Sequence, residues 1–149
     1  MVKLKQIEDF LASEPIALVG ASRNPKKFGF MAFKELKEKG LNVIPVNPHA
    51  SEIHQVKAFP DIKSLPPDVR ALLIMTKKEQ TAGVVREAKA RGLKQIWIQQ
   101  SSESKEALQE LEGTDINFIT GQCILMHYKP NSIHKFHRAL NRFFGAFPK

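Results

Sequence analysis

Residues 71–76, Ala-Leu-Leu-Ile-Met-Thr, carry five apolar side chains in succession. Side chains of an extended strand point alternately to its two faces, so a strand without a polar face has to be covered on both. Parallel sheets with helices on each side provide that cover, and they need long crossover connections. The chain supplies both. Short β-rich runs recur at 16–20, 42–48 (Asn-Val-Ile-Pro-Val-Asn-Pro), 95–99 and 116–120, with a further short strand expected near 57–59. A helix over 29–39 would place Phe30, Phe33 and Leu36 on one face and stop at Gly40, and one over 79–91 would turn Val84, Val85 and Ala88 inward and stop at Gly92. Helical patterns follow at about 103–112 and 132–144. Strands alternating with helices of this length imply right-handed βαβ units. The expected architecture is a single three-layer α/β domain over 1–149 with a mostly parallel sheet.

Bulk properties narrow the setting. With 149 residues, 42% hydrophobic and 26% charged, the chain is long enough to bury a core as one domain. No apolar run approaches the roughly 18 residues that span a bilayer. The N-terminal Met-Val-Lys-Leu-Lys-Gln-Ile-Glu-Asp-Phe-Leu alternates at helical spacing and carries Glu8 and Asp9, which makes a poor secretory signal. Cys123 is the only cysteine, so no internal disulfide forms, and a reducing compartment suits it. These features lead us to expect a cytoplasmic protein with no membrane association. The net charge of +8 attracts polyanions, whether nucleic acid, anionic lipid or a multiply phosphorylated cofactor.

In an open α/β sheet, ligands sit beyond the carboxyl ends of the strands, which directs attention to the loop after the first strand. Gly20 permits a tight turn, Ala21 and Ser22 are small enough for backbone amides to approach an anion, and Gly29 opens the following helix, whose positive end favours phosphate. Lys26 and Lys27 add positive charge at the rim. A plain strand-to-helix turn with solvated lysines is the other way to account for the same residues. The loop matches neither G-x-x-x-x-G-K-[ST] nor G-x-G-x-x-G. An NAD site also expects an acidic residue ending the second strand, where this chain has Val46-Asn47-Pro48-His49. Without that carboxylate, His49 and the two lysines suit a ligand carrying extra phosphate.

The stretch Val-Gly-Ala-Ser-Arg-Asn-Pro-Lys-Lys-Phe-Gly (19–29), followed by Leu-Lys-Glu-Lys-Gly-Leu-Asn-Val-Ile-Pro-Val-Asn-Pro (36–48), resembles the small CoA-binding proteins and the N-terminal CoA-binding domain of the succinyl-CoA synthetase alpha subunit. Residues 52–66, 96–100 and the late Cys123 extend the resemblance over roughly 13–125. It implies a Rossmann-like domain of the CoA-binding type with coenzyme A as cofactor. It implies the CoA pyrophosphate on Gly20, Ala21, Ser22, Lys27, Phe28 and Gly29, and the adenosine portion near Val46, Asn47, Pro48, Met75, Thr76 and Lys77. Lys27 replaces the arginine usual in that loop, keeping the charge without the bidentate fork. Ser101 stands where a glycine is usual after the fifth strand. Adenine would lie against Pro48 and the apolar edge at Ile74–Met75.

Signals for catalysis are weaker. Cys123, beside Ile124 and Leu125, fits a buried small hydrophobe better than a reactive thiol. His127, His134 and His137 have no carboxylate or further cysteine to complete a metal site, and no paired carboxylates or Ser-His-Asp arrangement emerge. Asp61 and Asp68 sit beside prolines as turn or cap residues. The basic, Phe-rich stretch 131–149 fits an amphipathic helix packed on the sheet, with a homodimer interface as the next choice and nucleic acid disfavoured. Taken with the resemblance, these residues lead us to expect a non-catalytic module binding CoA or an acyl-CoA. The alternatives are an NADP-type nucleotide-dependent enzyme and a nucleic-acid-associated basic protein.

Overall fold

The computed structural model describes residues 1–129. Along the chain run α1 (Leu4–Leu11), β1 (Ile16–Val19), α2 (Phe28–Glu38), β2 (Val43–Val46), β3 (Glu52–Ile53), β4 (Val56–Lys57), β5 (Ala71–Ile74), α3 (Lys78–Arg91), β6 (Gln95–Gln99), α4 (Lys105–Leu111) and β7 (Asn117–Gln122), ending in a 3-10 turn at Ile124–Met126. Five strands form one parallel sheet in the order β2-β1-β5-β6-β7. β3 and β4 make a separate antiparallel pair, turned through His54 and Gln55, both at positive φ.

The apolar run on β5 fills both layers as expected. Ala71 and Leu73 join Phe10, Ile16, Leu18, Phe33, Leu36 and Trp97 on the α1/α2 face, while Leu72 and Ile74 join Ala17, Val85, Ala88, Ile96, Ile98 and Leu111 on the α3/α4 face. Each fully buried large side chain of this kind contributes about 1.5–3 kcal/mol of transfer free energy. α1 is held by Phe10, whose ring meets Trp97 edge-on at 5.4 Å. The indole N–H of Trp97 donates to the Gln122 carbonyl at 3.0 Å, so this buried aromatic keeps its polar edge paired.

Several boundaries and faces differ from the sequence expectation. The central strand ends at Ile74 rather than residue 76, because Met75 and Thr76 turn toward Lys77, which caps α3. α2 buries Gly29 and Ala32 along with Phe33 and Leu36, leaving Phe30 half-buried against the His54 ring. On α3, Val85 and Ala88 are in the core, but Val84 is half-buried and Thr81 takes an inward position. The expected strand near 57–59 is β4 plus a single parallel bridge from Phe59 to Val46. One extra residue on β7 opposes β6 beyond Trp97, a bulge accommodated by Gly121 at φ +71°. The expected helix over 132–144 lies outside the described residues.

Candidate functional site

The chain passes from β1 to β2 on one side, then crosses back to β5 on the other side of β1. The carboxyl ends of β1 and β5 therefore flank the point where strand order reverses, and a crevice opens there. Gly20, at φ +99°, sits against β5 so closely that a Cβ would lie 2.5 Å from the Met75 carbonyl oxygen. A Cβ on Gly29 would fall on the Gly20 carbonyl oxygen and lie 3.4 Å from the Ser22 amide nitrogen. The two glycines thus bring the first turn of α2 directly onto the end of β1.

The loop between them is closed by its own polar groups. The Asn24 amide donates to Ser22 Oγ, the Lys26 amide donates to Asn24 Oδ1 and the Lys27 amide donates to the Asn24 carbonyl, each at 3.0 Å. Lys27 is the N-cap of α2 but supplies no side-chain cap. Among the described residues, the backbone amides of Ser22, Phe28 and Gly29 consequently have no hydrogen-bond partner. Unpaired amides at a helix start, with the exposed side chains of Arg23, Lys26 and Lys27 nearby, make an electropositive turn suited to an anion.

Beside this turn lies a cavity of about 440 Å³. Val19, Val46, Ile62 and Val84 form apolar walls, with Pro48 and Pro60 at the sides. His49 lines it too, its carbonyl accepting from Arg23 Nη1 at 3.5 Å, and part of its rim carries Asp61 and Glu87. Hydrogen bonds with Ser64, helped by the charge of Lys63, hold the Asp61 carboxyl below its usual range, so this rim is anionic at neutral pH.

A second cavity, about 450 Å³, lies at the ends of β6 and β7 and is lined by Phe28, Gln99, Ser101, Cys123 and Met126. Phe28 connects the two regions, being the first residue of α2 and 43% exposed. Cys123 is half-buried here, packing on the core while lining the cavity, where the sequence suggested full burial. Ser101 adopts φ +76°, the left-handed conformation that a glycine takes without strain.

Of the residues singled out in the sequence, Gly20, Ala21, Val46, Asn47, Pro48 and Thr76 meet around the first cavity. Ser22, Lys26, Lys27, Phe28 and Gly29 form the turn beside it. Asn47 takes a supporting position: its Nδ2 donates to the Ala21 carbonyl at 2.9 Å and its Oδ1 accepts from the His49 and Ala50 amides, tying the two loops together. Met75 turns its side chain toward the α1/α2 core, and Lys77 is an exposed cap of α3. Ile74 is fully buried, so the apolar surface beside Pro48 is not the edge at Ile74–Met75. Gln80, Gly83, Val84 and Glu87 of α3 complete the cavity; the sequence reading names only Val84 among them, and as a core residue rather than a cavity wall. Gly83 in mid-helix was the available signal, since a glycine there costs helix stability unless space beside it is used. Among the described residues no cluster of three metal-ligating side chains exists, and His127 pairs with Gln122 at 3.1 Å; His134 and His137 lie outside those residues. No described helix is long and apolar enough to cross a membrane.

Comparison with known proteins identifies a family and several relatives. The model of a family described as "CoA binding domain" matches residues 14–129. The chain is 36% identical over 93 residues to the alpha subunit of an ADP-forming acetate–CoA ligase from Pyrococcus furiosus, a stretch covering 62% of this chain and 20% of that subunit. The chain thus spans about a fifth of that relative. The Bacillus subtilis protein YneT is 31% identical over 112 residues, covering 75% of this chain and 83% of the relative. A solved structure of a conserved hypothetical protein from Pyrococcus furiosus superposes with a TM-score of 0.71 at 38% identity, over 74% of this chain and 95% of the other.

Proposed function

From the premise that this chain belongs to the CoA-binding domain family, we propose that it binds coenzyme A or an acyl-CoA without catalysing a reaction on it. The pyrophosphate rests on the Ser22, Phe28 and Gly29 amides, with Lys26 and Lys27 adding charge. The adenosine enters the cavity between Pro48 and Val84. The 3′-phosphate lies by Arg23 and His49, because the Asp61 and Glu87 rim repels it. The pantetheine arm then passes Phe28 toward the cavity beside Cys123. The observation that carries this assignment is the unpaired amide turn placed directly beside an apolar cavity at the reversal of strand order. CoA carries roughly four negative charges on its phosphates, and each charge-assisted contact is worth about 1.5–3 kcal/mol before desolvation and screening.

Calorimetric titration with CoA, NADP and a DNA oligomer at two salt concentrations tests the proposal. One CoA per chain is expected, with NADP at least about tenfold weaker and no steep salt slope for DNA. A Cβ at Gly83 meets only Arg86 Nη2, at 3.9 Å, so Gly83→Leu should fold normally and weaken CoA about tenfold by filling the cavity. Lys27→Ala should weaken it severalfold. Equal affinity for CoA and NADP, or an unaffected Gly83→Leu, would reject the assignment.

A further inference from the structure

Thr76 lines the first cavity, and its hydroxyl proton is already committed. Thr81, wholly buried on α3, has one hydroxyl proton. Its oxygen lies 2.6 Å from the Ser102 carbonyl and 3.3 Å from the Lys77 carbonyl. Carbonyl oxygens only accept, so the Thr81 proton must serve them; an oxygen pair at 2.6 Å without a proton between would be strongly repulsive. The same Thr81 oxygen lies 2.8 Å from Thr76 Oγ1. With its own proton spent, Thr81 can only accept there, and Thr76 must donate. What remains of Thr76 on the ligand side is lone pairs.

We infer that Thr76 is a specificity-determining residue that accepts a hydrogen bond from a donor on the ligand and turns away phosphate oxygen. This deepens, and rests on, the CoA function proposed above. Gly20 brings the phosphate turn against Thr76, a Cβ there lying 3.0 Å from the Thr76 amide nitrogen. Thr76 therefore sits where the turn gives way to the cavity, so its bias toward donors decides which group of the ligand follows the phosphates. CoA offers two sources of a donor in that region: the free ribose 2′-hydroxyl, and the hydroxyl and amides of the pantetheine arm. A ligand with phosphate on the ribose 2′-oxygen, as in NADP, would set acceptor against acceptor at the first of these.

The test compares wild type, Thr76→Val and Thr76→Ser by calorimetry, with thermal unfolding run alongside to confirm that each variant folds. The ligands are CoA, 2′-deoxy-CoA and adenosine 3′,5′-bisphosphate, which lacks the arm. Thr76→Val should lose about three- to tenfold in CoA affinity, as expected for one neutral hydrogen bond, and Thr76→Ser should retain it. If the ribose is the source, wild type loses the same factor on 2′-deoxy-CoA, and Thr76→Val no longer distinguishes the two. If the arm is the source, Thr76→Val binds the bisphosphate as tightly as wild type does. Wild type that binds CoA while Thr76→Val matches it would overturn this inference alone. Wild type that fails to bind CoA would overturn the proposed function and this inference with it.

Discussion

Two glycines of identical type behave in opposite ways because of what stands opposite them. Gly29 faces the Gly20 carbonyl oxygen with no room for a methyl group, and the obstacle is backbone that cannot swing aside. Gly29→Ala should therefore cost about 1–3 kcal/mol in urea unfolding, the range for overpacking, and weaken CoA through displacement of the turn. Gly83 has space, so Gly83→Ala should raise stability by about 0.5–1 kcal/mol in the same assay. The sequence marked Gly20 and Gly29 through their flanking strand and helix, since the need for a tight turn is local. It did not mark Asn47 as a brace or Met75 as a core residue. Both depend on which way a side chain leaves the sheet edge, and that is settled by neighbours distant in sequence.

At the scale of elements, the described helices followed from apolar spacing, with errors of one or two residues at their ends. Val84 went astray because a period of 3.6 defines a stripe without saying how far the covering sheet extends. Val84 lies on the side stripe Gln80, Gly83, Val84 and Glu87, which lines a cavity, while Thr81, Ala82 and Val85 face the core. The outer layer of α3 and α4 is joined by Glu110, which accepts from Arg86 and Lys89, each at 3.2 Å. Those two partners lower the Glu110 pKa below its ordinary 4.5, and Lys94 likewise lowers that of Asp115. A lowered folded-state pKa gives stability that is present above the unfolded value and lost as pH falls through the folded one. The urea midpoint should accordingly fall as pH drops below about 4.5, and Glu110→Gln should flatten part of that decline. An unchanged profile would show that this exposed cluster contributes nothing measurable.

At the scale of the whole molecule, α1 closes the layer that α2 leaves open, through Phe10 on Trp97. Phe10→Ala should cost about 3–5 kcal/mol in urea unfolding with an unchanged slope, and alter the near-ultraviolet signal of Trp97. By itself, the sequence determined the layers and the tight glycine turn after β1. Alternation, helical spacing and the demands of a glycine turn are properties of neighbouring residues, and they survive in any arrangement that buries the apolar faces. Only the tertiary structure decided that β1 and β5 lie side by side, which sets Gly20 beside Thr76, brings α3 over the cavity and aligns Thr81 with Ser102. Those residues stand some twenty to fifty-six positions apart. Strand order and close packing bring them together, and no local pattern encodes either.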